Sequence, residues 1–137
     1  MEYYSAEIGE PDFTRKLAED VDWKSGVLVR STNWLGDACM TVPAVYKIKE
    51  LLPENAHLYI LVPKNLKSFW ESFPWVKTVI AMSTKRADAE VAEQVLKLNL
   101  GVAIALPNSF GSAQDIAFKE IPVRLGRKGQ FRGFMLT

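Results

Sequence analysis

Val27-Leu28-Val29-Arg30, followed by Ser31-Thr32-Asn33-Trp34-Leu35-Gly36-Asp37, is the stretch on which the fold turns. A short apolar run halts at polar loop residues, and a longer helical pattern begins beyond them. Similar runs recur at Leu58–Val62, Thr78–Ala81, Val102–Leu106 and Val123–Leu125. None alternates regularly with polar residues, as expected of strands covered by helices on both faces. Between them, Val45–Leu52, Leu66–Phe73, Asp88–Leu98 and Ser112–Phe118 carry apolar residues at helical spacing, with Pro53, Pro74 and Gly101 as stops. Pro43 is expected early in the first helix, as a first-turn residue or a local kink. The order predicts an α/β fold over residues 26–137, a Rossmann-like parallel sheet with helices on both faces.

Residues 1–25 are polar apart from an amphipathic stretch at Phe13–Val21, and are read as an N-terminal extension. The first ten residues lack the apolar core of a secretory signal. The longest mostly apolar stretch, near Leu100–Leu106, falls well short of the roughly 20 residues a membrane-spanning helix needs.

With 137 residues, 48% hydrophobic and 24% charged, the chain can bury a single core and does not have the composition of a disordered protein. A net charge of +1 gives no overall reason to expect nucleic acid as a partner. Cys39 is the one cysteine, so no internal disulfide forms, and no Cys/His cluster suggests a structural metal. His57 has no ligand-type neighbour at metal spacing and reads as structural. Asp20-Val21-Asp22 resembles a metal-binding Asp-x-Asp pair, but it precedes the first strand and reads as solvated surface.

Ligands of open α/β sheets bind outside the carboxyl ends of the strands. The loop after the first strand places Gly36 beside Asp37 at a helix N-terminus, where the dipole favours an ionised carboxylate. Such a group can take a proton from an attacking hydroxyl. Asp is also a preferred capping residue, so helix capping stands as the alternative. Trp34 offers a ring to stack on a sugar or to pack beneath the loop. After the fourth strand, Asn108 and Ser109 suit either capping or hydrogen bonds to ligand oxygens. Arg124, Arg127, Lys128 and Arg132 form a local basic cluster, suited to phosphate-bearing ligands or to a solvated surface. There is neither a Gly-x-Gly-x-x-Gly turn nor a Walker phosphate loop. The acidic pair that a phosphorylated receiver needs after its first strand is replaced by Arg30-Ser31-Thr32.

The run Val27–Asp37 resembles the opening of the lipopolysaccharide heptosyltransferases of glycosyltransferase family 9, especially the heptosyltransferase II type. Leu106-Pro107-Asn108-Ser109-Phe110, Ile121-Pro122-Val123-Arg124-Leu125-Gly126-Arg127-Lys128-Gly129 and Phe131-Arg132 resemble further segments of that family in the same order. The resemblance implies the N-terminal, acceptor-side domain of a GT-B glycosyltransferase, with the donor-binding C-terminal domain absent from these 137 residues. It implies inverting transfer of heptose from ADP-heptose to the lipopolysaccharide inner core, with Asp37 catalytic and no metal or cofactor. Acceptor contacts would come from Asn33, Trp34, Gly36, Asn108, Ser109, Arg124, Arg127, Lys128 and Arg132. The implied partner is an acidic glycolipid, met in the cytoplasm with peripheral contact at the inner membrane, and no nucleic acid is involved. The chain departs from the family at Gly111, where a basic residue often follows Asn-Ser-Phe, and in its longer N-terminal extension. Half a cleft does not position two reactants, so the isolated chain is expected to be inactive. The competing expectation is a stand-alone, flavodoxin-like module that binds a sugar or phosphate without chemistry.

Overall fold

A computed structural model describes residues 19–83, 86–129 and 133–137. Most of the amphipathic stretch at Phe13–Val21, and all of Phe131-Arg132, lie outside the described residues. The first strand, β1 (Val27–Arg30), leads to helix α1 (Leu35–Leu51). β2 (Leu58–Pro63) is followed by a 3-10 turn and the short α2 (Lys67–Glu71), then β3 (Thr78–Met82) and α3 (Ala89–Leu96). β4 (Val102–Ala105), α4 (Phe110–Asp115) and β5 (Val123–Gly126) complete the series, and a 3-10 turn at Gly133–Met135 follows.

All pairings are parallel, in the order β3-β2-β1-β4-β5. This is the Rossmann arrangement. It corrects the flavodoxin-like alternative, whose sheet would place β2 at one edge and β1 second. The chain reverses direction across the sheet between β1 and β4, and that switch point is where crevices open in such folds. Val27 sits level with both Leu58 and Val102, so β1 is central and its backbone is paired on both sides.

Burial follows from that position. Val27, Leu28 and Val29 are inaccessible to solvent. Val27 and Val29 face a core layer containing Ala38, Val45, Leu66 and Trp70, under α1 and α2. Leu28 faces the other layer, with Val91, Val95, Ile116 and Ile121 under α3 and α4. The first layer is rich in rings: Trp70 meets Phe69, Phe73 and Trp75 in edge and tilted contacts. The second is largely aliphatic.

Sequence expectations for the helices need two corrections. α1 begins at Leu35, ahead of the apolar pattern at Val45–Leu52 and close to the helix N-terminus expected at Asp37, so Pro43 lies in mid-helix instead of near its start. Proline supplies no N–H to the carbonyl of Cys39, but both residues are exposed and water can take that acceptor. α4 begins at Phe110 and ends at Asp115, earlier than the expected Ser112–Phe118, because Ser109 provides the cap by accepting the Ser112 N–H at 3.1 Å.

The described part of the N-terminal extension is packed against the domain. Trp23 belongs to the first core layer, and Val21 packs onto it. The Asp22 backbone passes so close to Gly101 that a Cβ at Gly101 would overlap the Asp22 carbonyl. Asp22 accepts the Ser25 N–H at 3.2 Å. Hydrogen bonding from Ser25 holds its carboxyl below the ordinary value. This turn lies at the amino ends of the strands, opposite the carboxyl edge where the ligand loops gather. His57 is exposed there too; its carbonyl accepts the Val27 N–H at 3.0 Å and its ring stands edge-on to Tyr59.

Candidate functional site

At the carboxyl edge, the chain leaves β1 through a loop held from both faces of the sheet. Strand alternation sends Arg30 toward α4 and Ser31 toward α2. Arg30 is 1% exposed, and its Nε donates to Asp115 Oδ2 at 3.0 Å. Its Nη1 donates to the Ser31 carbonyl, and its Nη2 to Asn33 Oδ1 at 2.9 Å. Burial pulls Arg30 down from its ordinary value, and the Asp115 carboxylate opposes that fall. On the opposite face, the indole Nε1–H of the fully buried Trp70 donates to Ser31 Oγ at 2.9 Å. Thr32 Oγ1 is the one buried side-chain polar atom without a partner among the described residues.

Beyond these anchors the loop opens to solvent. Trp34 occupies the N-cap position of α1 with its side chain 73% exposed and makes no capping bond. The reading in which its ring packs beneath the loop is therefore corrected. Asp37 is the third residue of α1 and exposed, and its carboxylate makes no hydrogen bond or ion pair with another described residue. The capping alternative for Asp37 fails on position, since the N-cap is Trp34. A carboxylate in the first turn still complements the helix dipole, and a group three residues past Trp34 lies on the same side of that turn. Gly36, between them, has no atom within 4 Å of where a Cβ would stand.

An open cleft of about 840 Å³ adjoins this loop, lined by Asn33 and Trp34, by Pro63, Lys64 and Asn65 after β2, and by Met82 and Ser83 at the end of β3. Sequence reasoning missed Lys64, Asn65 and Ser83. Their signal was only that they follow strands at the carboxyl edge.

Asn108 is exposed after β4 and makes no hydrogen bond with another described residue. Ser109 caps α4. Arg127 and Lys128 leave the carboxyl end of β5, exposed, on the same edge as Asp37 but on the far side of β4. Arg124 is engaged internally. Its Nε donates to the Met135 carbonyl at 2.8 Å, and its Nη1 to the carbonyls of Phe118 and Ile121 at 3.1 and 2.7 Å. Its backbone exchanges bonds with Thr137, covering the edge of β5. Arg124 therefore does not stand free in the expected basic cluster, since it ties down the segment at Gly133–Met135; Arg132 lies outside the described residues.

The chain is 28% identical over 116 residues to Lipooligosaccharide heptosyltransferase 2 of Haemophilus influenzae (strain ATCC 51907 / DSM 11121 / KW20 / Rd), an alignment covering 81% of this chain and 33% of the relative. Its structure is similar to that of E. coli ADP-heptose lps heptosyltransferase II, with a TM-score of 0.68, 27% identity, and coverage of 81% of this chain and 33% of the other. No family model matches. The chain thus spans about a third of the length of the relatives it matches. It is distantly related to heptosyltransferases.

Sequence reasoning also missed the polar set behind the loop. Asp115 is 2% exposed and accepts on both oxygens: Oδ2 from Arg30, and Oδ1 from the Ala87 N–H at 3.0 Å, with Arg86 Nε at 3.8 Å. It joins α4, the end of β1 and the segment leading into α3. No group of three His, Cys, Asp or Glu among the described residues could hold a metal ion, and no described helix is long and apolar enough to cross a membrane.

Proposed function

We propose that the chain is the N-terminal, acceptor-side domain of a GT-B glycosyltransferase that moves a heptose from ADP-heptose to the lipopolysaccharide inner core. The observation that carries this reading is Asp37: an exposed carboxylate in the first turn of α1, unpaired among the described residues and three positions after Trp34, which with Asn33 edges the cleft. The similarity to two heptosyltransferases supports it. The Rossmann sheet order supports it too, because it opens its crevice at the ends of β1 and β4.

In this reading the acceptor lies across the carboxyl edge. Trp34 gives its exposed ring face to a sugar, and Asn33, held by Arg30, presents its amide. Asn108, Ser109, Arg127 and Lys128 contact more distant parts of an acidic glycolipid. Asp37 takes the proton of the attacking hydroxyl while its oxygen bonds to the anomeric carbon. The bond from that carbon to the diphosphate breaks on the opposite side, ADP leaves with the bonding electrons, and the configuration inverts. The donor half of the cleft comes from a second domain, in the cytoplasm and against the inner membrane surface. Alone, this domain binds acceptor but does not turn over.

Asp37→Asn in the complete two-domain enzyme should lower turnover by about 100-fold or more, the scale of general-base catalysis, with unfolding unchanged. A loss below about twofold would remove Asp37 from the role.

A further inference from the structure

Resting on the acceptor-side reading, we infer that Arg30 is a positioning residue. By holding Asn33 Oδ1 it leaves the amide N–H pair of Asn33 as the end that meets the ligand, a fixed donor for a sugar oxygen beside Trp34. A guanidinium carries N–H donors and no acceptor, so the end of the amide turned to it is the oxygen. Arg30 Nη2 donates to Asn33 Oδ1 at 2.9 Å. Asn33 Nδ2 has no hydrogen-bond partner among the described residues, and Asn33 is exposed and lines the cleft together with Trp34.

Arg30 has no freedom to turn away. It is 1% exposed, its Nε donates to Asp115 Oδ2 at 3.0 Å, and its Nη1 donates to the Ser31 carbonyl. Each nitrogen of one planar fork thus has its own partner, and the outermost of these is Asn33. The backbone beneath is fixed as well: the Ser31 N–H donates to the Leu61 carbonyl at 2.9 Å, and the Arg30 carbonyl accepts the Leu106 N–H at 3.1 Å. A lysine in the same place would bring a single nitrogen on a flexible stem, able to serve Asp115 or Asn33 but not both in the geometry of the fork. Donation from a cation to Oδ1 also draws electron density out of the amide and strengthens its N–H groups as donors. Trp34, the next residue, is 73% exposed. A ring for the apolar face of a sugar and an oriented donor for one of its oxygens therefore stand on neighbouring residues.

A methyl heptoside is to be titrated into the isotope-labelled chain and its variants, with binding followed by NMR. The side-chain amide protons of Asn33 should shift as the sugar binds. Arg30→Lys keeps a counter-charge for Asp115, and Asn33→Ala removes the amide. Each should weaken binding about fivefold, the scale of one hydrogen bond. The double variant Arg30→Lys/Asn33→Ala should lose no more than either single one, because Arg30 acts through Asn33. A purely structural role for Arg30 would instead add its loss to that of Asn33→Ala. Circular dichroism checks that each variant folds; if Arg30→Lys does not, Arg30→Met/Asp115→Leu, which removes both buried charges together, takes its place in the cycle. Additive losses, full affinity in the folded Arg30 variant, or an Asn33 amide unmoved at saturation each overturn the inference while the acceptor-side reading stands. If the unaltered chain does not bind the sugar, both are overturned.

Discussion

The two faces of the sheet hold the same loop by unlike means. Under α1 and α2, β1 meets rings, and the side-chain hydrogen bond from that face to the loop among the described residues is the Trp70 indole on Ser31. Under α3 and α4 it meets aliphatic side chains pierced by the buried pair of Arg30 and Asp115. A neutral donor on one face tolerates loss better than a charge on the other, because an unpaired buried ion costs far more than an unpaired hydroxyl. The loop that leads into α1 and Asp37 is therefore set in place chiefly from the face opposite that helix.

Three substitutions grade that asymmetry. Asp115→Ala strands Arg30 without a counter-charge and should cost about 3–5 kcal/mol, measured by urea unfolding; a cost below about 1 kcal/mol would mean that water already reaches the guanidinium. Trp70→Phe keeps a ring in the layer but leaves Ser31 Oγ without its donor, with an expected cost of about 1–2 kcal/mol by the same measurement. If it equals or exceeds Asp115→Ala, the comparison between the faces is reversed. Gly36→Ala touches neither face. It should stabilise the domain by about 0.5–1 kcal/mol, as alanine does within helices, because its Cβ meets no atom. Destabilisation there would show that the first turn of α1 is not helical in solution. If the variant is more stable but binds acceptor less well, a ligand passes over that spot.

The strands were legible because a parallel sheet buried on both faces leaves unbroken apolar runs, and each expected run coincides with an observed strand to within a residue or two. The passage of α1 unbroken from its start near Asp37 through Pro43 was not. Gly36 and Pro43 both argue against a helix by local propensity, and only the packing of Ala38 and Val45 under the sheet overrides them. Asp37, Trp34 and Asn33 could be placed because they follow a strand directly. The partnership of Arg30 with Asp115 spans 85 positions and leaves no trace in local pattern. Arg124 shows the opposite failure: a visible run of cations suggested a surface, but charge in a sequence does not reveal that a guanidinium will close on backbone carbonyls.

The tight passage of Asp22 over Gly101 also bears on how the domain can be handled. Composition changes at Gly26, and a boundary drawn there looks natural. Yet Trp23 forms part of the core wall and the preceding turn rests on the start of β4. A protein trimmed to begin at Gly26 would lose that wall and expose the amino edge of the sheet, so any shortened version for binding or crystallographic work should keep the residues from Val21 onward.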